Sequence, residues 1–164
     1  MPFMQEVRKL PANRTAVHLD VGANDGRFTA SVMRRICNST SAALRFVVFE
    51  PSKRHHEKLA SLPRQYCPSS SFQSHQAAAW IADGQLAFYH RSDSRASSVS
   101  HNERAGGNVD KVASIDLARY LQQTLRDEDI NYLKLDVEAS EYRLCARRLL
   151  TSACLTLEAR ASSG

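Results

Sequence analysis

The sequence lacks any long hydrophobic run. None of its apolar stretches approaches the roughly 20 residues that a membrane-spanning helix needs. The N-terminal stretch Met1-Pro-Phe-Met-Gln-Glu-Val-Arg-Lys-Leu10 also lacks the apolar core of a signal peptide. These absences predict a protein without a membrane span that is located in the cytoplasm.

Cysteine is scarce and is not arranged in motifs. The four cysteines are Cys37, Cys67, Cys145 and Cys154, and no two of them form a Cys-x-x-Cys pair. Neither a zinc site nor a redox dithiol is therefore indicated. The sequence predicts reduced thiols and no metal site.

The composition is typical of one soluble globular domain with a net positive charge. The chain has 164 residues, of which 43% are hydrophobic, and a formal net charge of +5. Basic doublets stand at Arg34-Arg35, Lys53-Arg54 and Arg147-Arg148, each on a predicted helix. Because no aromatic residues are interleaved with them, solvated helix faces are favoured over a nucleic-acid partner.

One stretch, Val17-His-Leu-Asp-Val-Gly-Ala-Asn-Asp-Gly-Arg-Phe28, organises the chain. It predicts a strand over residues 16–21, a glycine loop, and an amphipathic helix over residues 27–37. A strand, a glycine loop and a helix in that order form the nucleotide-binding half of a Rossmann-like fold. Gly22 permits a tight turn, and Gly26 permits the helix to begin close to a ligand.

The loop reads G-x-x-x-G and is not the G-x-G-x-x-G fingerprint of dinucleotide-binding proteins. Asp20, at the end of the strand, would repel a pyrophosphate but attract a cationic group. S-adenosylmethionine carries an ammonium and a sulfonium group and no phosphate, so it fits this loop better. The alternative is that Asp20 or Asn24 only caps the helix.

A second acidic residue ends the second predicted strand, residues 44–49. Glu50 follows Gly26 by 24 residues, near the spacing at which an acid reaches the ribose hydroxyls of a nucleotide. A carboxylate can accept hydrogen bonds from both hydroxyls. The alternative is a capping or surface acid.

The middle of the chain predicts a helix over residues 53–62, a loop over 63–71 and a third strand over 72–78. Asp83-Gly84 is a hairpin signal, and with a strand over 85–90 it predicts an antiparallel ribbon. Residues 91–108 are rich in Ser, Arg and Gly and predict a lid or a disordered segment. A strand over 109–115 and a helix over 117–125, capped by Asp116, follow.

The fourth strand, Tyr132-Leu-Lys-Leu-Asp-Val137, ends in an acidic cluster. Asp136, Glu138 and Glu141 all lie at or after its carboxyl end. In open α/β sheets ligands bind at that edge. The alternative, acids that favour a helix N-terminus, fits Glu141 well and Asp136 poorly.

Taken together, five blocks resemble the FkbM-type family of S-adenosylmethionine-dependent methyltransferases over roughly residues 15–150. The blocks, in chain order, are Asp20-Val-Gly-Ala-Asn-Asp-Gly26, Val48-Phe49-Glu50-Pro51, Ala78 with Asp83-Gly84 and Phe88-Tyr89, Ile115-Asp116-Leu117, and Leu133-Lys-Leu-Asp-Val-Glu138 with Glu141. The family usually has Gly at the position of Ala139.

The resemblance implies a Rossmann-like class I methyltransferase fold, a three-layer α/β sandwich with a mostly parallel sheet. It divides the chain into a lead-in, residues 1–14, a methyltransferase domain, residues 15–158, and a tail, residues 159–164. The family has strands 5, 6 and 7 after strand 4, and only residues 155–158 suit strand 5. The domain is therefore expected to be C-terminally incomplete.

The resemblance also implies methyl transfer to a hydroxyl group of a small molecule or sugar. Asp136 is the first candidate for the base or for orienting the acceptor, Glu138 the second and His90 a weak third. The implied cofactor-binding residues are Asp20 for the methionine amino group, Gly22, Ala23, Asn24 and Gly26 for the methionine backbone, Glu50 for the ribose, and Gln76 and Ala77 near the adenine.

Two alternatives remain open. A nucleic-acid methyltransferase would suit the basic charge, but the chain lacks an Asn/Asp-Pro-Pro-Tyr-like motif for a base pocket. A non-catalytic binding module would keep the cofactor loop without an acceptor pocket. The sequence does not decide the oligomeric state.

Overall fold

The computed structural model describes residues 2–89, 109–126, 130–136 and 155–159. Several sequence predictions fall outside these ranges. They are His90, the lid or disordered segment at 91–108, Glu138, and the helix that follows the fourth predicted strand.

The described residues contain eight strands in two sheets. In chain order they are β1 Thr15–Val21, β2 Ala43–Phe49, β3 Ser71–His75, β4 Ala78–Trp80, β5 Gly84–Tyr89, β6 Val109–Asp116, β7 Ile130–Leu135 and β8 Leu155–Ala159. The main sheet has the order β3-β2-β1-β7-β8, and all of its pairs are parallel. The predicted fold class is confirmed.

Helices cover both faces of the main sheet. They are α1 Pro2–Val7, α2 Arg27–Ile36, α3 His56–Tyr66 and α4 Leu117–Thr124, with a short 3₁₀ helix, Lys53–His55, before α3. Side chains of α1, α2 and α3 form one hydrophobic core with one face of the sheet, and α4 forms a second core with the other face. The architecture is therefore a three-layer sandwich.

Strand β1 is central and buried on both faces. Val17, Leu19 and Val21 face α4, whereas His18 and Asp20 face the layer of α1 and α2. Strands buried on both sides are normally apolar throughout. The two polar side chains on the α2 side are therefore exceptions that need a local explanation.

The predicted antiparallel ribbon is wrong in its pairing. Strands β4 and β5 do not pair with each other, because β6 lies between them, parallel to β4 and antiparallel to β5. The Asp83 carboxylate accepts the N–H of Asp116 at 2.8 Å, and the Ser114 hydroxyl donates to the Ala82 carbonyl at 3.0 Å. The turn is thus bonded to the end of β6 instead of closing a hairpin.

Two helix predictions have different outcomes. Asp116 caps α4 as predicted, since its carboxylate accepts the N–H of Arg119 at 3.1 Å. Helix α3 continues through Pro63 to Tyr66, although a loop was predicted from residue 63. The C-terminal turn is kept because the Cys67 N–H donates to the Pro63 carbonyl at 2.8 Å.

The prediction of reduced cysteines is wrong for Cys37 and Cys67, which form a disulfide with Cα atoms 5.5 Å apart. Cys37 follows α2 and Cys67 follows α3, so side-by-side packing of the helices brings the two thiols together. Their separation of 30 residues forms no recognisable motif. Because disulfides are typical of oxidising compartments, the cytoplasmic location stays a prediction.

Candidate functional site

The carboxyl ends of four neighbouring strands form one continuous edge. Backbone hydrogen bonds of 3.0–3.1 Å link each strand end to the next, from Glu50 N to His75 O, from Gly22 N and Ala23 N to Phe49 O, and from Asp136 N to Val21 O. The first and second sequence motifs and Asp136 therefore meet at the same edge. This is the edge at which open α/β sheets bind ligands.

The glycine loop between β1 and α2 has three residues with left-handed backbone. They are Gly22, with φ 78°, Asn24, with φ 50°, and Gly26, with φ 75°. Glycine and asparagine tolerate this region best. The residue types of the loop are therefore required by its shape.

The N–H groups of the loop are directed into the protein. Gly22 and Ala23 donate to the Phe49 carbonyl, Asn24 donates to the Glu50 carboxylate at 2.8 Å, and Gly26 donates to the Ala23 carbonyl at 2.9 Å. These four donors are thus already satisfied by the protein itself.

Gly26 is buried and faces α3. A Cβ atom at this position would lie 2.8 Å from Leu59 Cδ2 and 2.8 Å from Leu62 Cδ1. Gly26 therefore lets α2 begin close to α3, whereas the sequence had suggested a close approach to a ligand. Ala23 is also buried, and Asn24 is exposed.

Glu50 is a buried acid that holds two segments together. Its carboxylate accepts the N–H of Asn24 through Oε2 and that of Ser52 through Oε1, each at 2.8 Å. Only 6% of the residue is exposed. Burial raises the pKa of Glu50, and the two N–H donors partly offset that effect. Glu50 is thus neither a helix cap nor a surface acid.

Lys134 lies between two of the acids that the sequence singled out. Its Nζ is 2.8 Å from Asp20 Oδ1, 3.1 Å from the Gly22 carbonyl and 3.4 Å from Asp136 Oδ2. The other oxygen of Asp20 accepts the Thr29 hydroxyl at 2.6 Å. We call Lys134, Asp20, Asp136, Gly22 and Thr29 the Lys134 cluster.

The Lys134 cluster was not found from the sequence. The sequence analysis included Lys134 only as part of the fifth block that resembles the family. A signal was present, because a lysine flanked by Leu133 and Leu135 in a central strand cannot reach solvent easily and needs a carboxylate partner. With two acids and one lysine, the cluster carries one net negative charge.

His18 lies beside this cluster in an aromatic environment. Its ring stacks on Tyr132, with centroids 5.3 Å apart, and contacts Phe28 and Phe46. Neither ring nitrogen has a hydrogen-bond partner among the residues that the structure describes. Desolvation lowers the pKa of His18 to about 4, so the imidazole is neutral at pH 7.

The predicted adenine-contacting residues Gln76 and Ala77 lie between β3 and β4, with Gln76 exposed and Ala77 buried. The preceding residue, His75, stacks on Phe49 at 4.7 Å, and its Nε2 is 3.1 Å from the Tyr120 hydroxyl. Burial lowers the pKa of His75. Sequence reasoning missed this polar pair because Tyr120 belongs to α4, 45 residues away.

Two further features concern the described ranges only. In them, no group of three or more His, Cys, Asp or Glu residues is arranged to hold a metal ion. No helix in this part of the chain is long and apolar enough to span a bilayer.

Comparison with known proteins decides the family. The model of the methyltransferase FkbM domain matches residues 20–161. The chain belongs to the FkbM methyltransferase domain family. The resemblance seen in the five sequence blocks is thereby confirmed.

A solved structure agrees with the fold of this FkbM domain. The crystal structure of methyltransferase FkbM from Methylobacillus flagellatus KT is 17% identical, with a TM-score of 0.50 over 83% of this chain and 30% of that one. At this identity the likeness concerns the fold alone. The chain spans less than a third of the length of that protein. A search among curated proteins found no match.

Proposed function

We propose that this FkbM domain is an S-adenosylmethionine-dependent methyltransferase that methylates a hydroxyl group of a small molecule or sugar. The observation that carries the proposal is the internal use of the N–H groups of the glycine loop. A loop that cradles a phosphate needs those N–H groups free to donate to it. Here four of them already donate to protein acceptors.

The charge of the edge supports the same ligand class. The Lys134 cluster has one net negative charge, and His18 beside it is neutral. A pyrophosphate would be repelled there, whereas a ligand with a cationic head would be attracted.

Glu50 fits a ribose. Each of its carboxylate oxygens accepts one backbone N–H, and an ionised carboxylate offers about four acceptor sites. Two acceptor sites therefore remain for a pair of sugar hydroxyls. The fixed position of the side chain would orient that sugar relative to the glycine loop.

The other site residues would have the following roles. Gly22, Ala23 and Asn24 would lie along the amino-acid part of the cofactor, and Gln76 and Ala77 along the adenine. When bound, the cofactor supplies an electrophilic methyl group. The protein has to align the acceptor hydroxyl and accept its proton, for which Asp136 and Glu138 are the candidates from the sequence.

Titration calorimetry with S-adenosylhomocysteine and NAD tests the cofactor. We expect wild-type protein to bind S-adenosylhomocysteine, and Glu50→Ala to weaken that binding by about tenfold or more, because a charge-assisted contact is lost. Glu57→Gln is the matched control, since it removes a carboxylate from the exposed face of α3. Binding of NAD in preference to S-adenosylhomocysteine would refute the proposal.

Turnover assays test the acceptor. Methyl transfer to small hydroxyl compounds or sugars is expected. Cofactor binding without transfer to any acceptor would favour the binding module. Methylation of RNA, with binding that weakens steeply with salt, would favour a nucleic-acid enzyme.

A further inference from the structure

Two acids of the Lys134 cluster are candidates for contact with the cationic amino group of the cofactor. We propose that Asp136, and not Asp20, makes this contact, and that Lys134 is the positioning residue that separates their roles. Asp136 is then not the base, and Glu138 is the remaining candidate from the sequence. The inference rests on the proposed cofactor, S-adenosylmethionine.

Asp20 is fully engaged inside the protein. Its residue exposure is 0%, and its two oxygens bind Lys134 and the Thr29 hydroxyl at 2.8 and 2.6 Å. A ligand ammonium would have to open the packing of α2 on the sheet to reach it. It would then compete with Lys134, which is so deeply buried that little water could replace its contact with Asp20.

Lys134 is held in place by strand register. Asp20 and Lys134 are direct partners in the parallel pairing of β1 and β7, and 4% of the lysine side chain is exposed. An ammonium group has three N–H donors, and Lys134 has three acceptors within reach. The position of Lys134 is therefore fixed by β1, and Lys134 in turn holds the Gly22 carbonyl and the Asp136 carboxylate.

Asp136 is the acid that remains accessible. Its side chain is 34% exposed, and its backbone N–H donates to the Val21 carbonyl at the end of β1. Because Lys134 neutralises one of the two acids, one negative charge is left in the cluster. Because Asp20 is buried and paired, the remaining charge lies on Asp136, which is accessible beside the glycine loop.

Two probes separate a contact to the amino group from an effect on the whole site. S-adenosylhomocysteine contains the adenosine and an amino-acid head with an ammonium and a carboxylate group, whereas methylthioadenosine contains the adenosine and lacks the head. The readout is the ratio of the two affinities, measured by calorimetry. A general loss of folding changes both affinities and leaves the ratio unchanged.

We expect Asp136→Asn to lower the affinity for S-adenosylhomocysteine by about tenfold or more, the size of a charge-assisted contact. The affinity for methylthioadenosine should stay within about twofold. Asp20→Asn alone is not a clean test of Asp20, because Lys134 would then neutralise Asp136. Glu57→Gln is the surface control and should leave the ratio unchanged.

A double variant therefore tests Asp20. Asp20→Asn combined with Lys134→Gln exchanges the buried ion pair for a neutral hydrogen-bonding pair. This double variant should keep the preference for S-adenosylhomocysteine within about threefold, because Asp136 retains its charge.

Three results overturn the inference. The first is an unchanged ratio in Asp136→Asn, and the second is a selective loss of S-adenosylhomocysteine binding in the double variant. With either of these two results, binding of S-adenosylhomocysteine by the wild-type protein would still support the proposed function. The third is wild-type protein that binds neither probe, which refutes the proposed function together with the inference.

Discussion

The backbone N–H of Asn24 donates to the Glu50 carboxylate at 2.8 Å and so joins the glycine loop to the end of β2. The same carboxylate accepts the N–H of Ser52, at the same distance. One buried side chain therefore sets the relative positions of the two sequence motifs.

Replacement of Glu50 should lower the free energy of unfolding. Glu50→Ala leaves the N–H groups of Asn24 and Ser52 without their acceptor, at a cost of about 1–3 kcal/mol for the buried group of Ser52 and less for that of the exposed Asn24. Glu50→Gln keeps one carbonyl acceptor and should cost less. Urea unfolding measures both, and equal losses in the two variants would contradict the role of the carboxylate as a double acceptor.

Gly26→Ala should destabilise the protein strongly. The alanine would have to adopt φ 75°, and its Cβ would lie 2.8 Å from Leu59 Cδ2 and from Leu62 Cδ1. The left-handed backbone alone costs about 1–3 kcal/mol, and the contact with α3 adds to it. Gly84→Ala is the control for the backbone cost, because Gly84 also has a positive φ, 149°, and its Cβ would meet Ser114 Oγ at 3.8 Å, an ordinary contact distance. A Gly26→Ala loss no larger than that control would contradict the packing argument.

Reduction of the Cys37–Cys67 disulfide should lower the free energy of unfolding by about 3–4 kcal/mol, given its loop of 30 residues. The bond restricts the unfolded chain and is lost when the thiols are reduced. The measurement is urea unfolding with and without dithiothreitol. Cys37→Ala combined with Cys67→Ala should no longer respond to the reductant. A wild-type transition that does not move on reduction would count against the bond.

His18 should make the stability depend on pH between about 6.5 and 4. Its pKa is about 4 in the folded protein and near its ordinary value of 6.5 in the unfolded chain. Above pH 6.5 both states are neutral at this residue. Below it, the unfolded chain takes up a proton first, so stability falls by about 3 kcal/mol down to pH 4.

The comparison of wild type with His18→Phe isolates this effect. The phenylalanine keeps the aromatic contacts with Tyr132 and Phe46 and does not titrate. The difference between the free energies of unfolding at pH 7 and at pH 4.5 should be smaller in His18→Phe than in wild type. An unchanged pH dependence in His18→Phe would disprove the assignment.

Local patterns explain why much of the fold was predictable. The alternation of apolar residues, the glycines at Gly22 and Gly26, and the acid that ends β2 each act within a few residues of the chain. Parallel strands connected by helices then leave few arrangements. The order of the main sheet and the shared edge of the motifs follow from these features.

Contacts between distant segments were not predictable in the same way. Asp20 and Lys134 are 114 residues apart, and their pairing depends on the register of β1 against β7. The disulfide depends on how α2 packs beside α3. The insertion of β6 between β4 and β5 depends on hydrogen bonds of Asp83 and Ser114 that no local pattern encodes.

The glycine loop is held in its shape by acceptors that belong to the protein. Its conformation is therefore preorganised, and a ligand that binds beside it has little backbone entropy to remove from the loop. Association should then be a single kinetic step whose rate rises linearly with ligand concentration, without a slower ordering phase. The selectivity of this edge should therefore depend on how well a ligand fits the existing surface, and not on a rearrangement of the loop after binding.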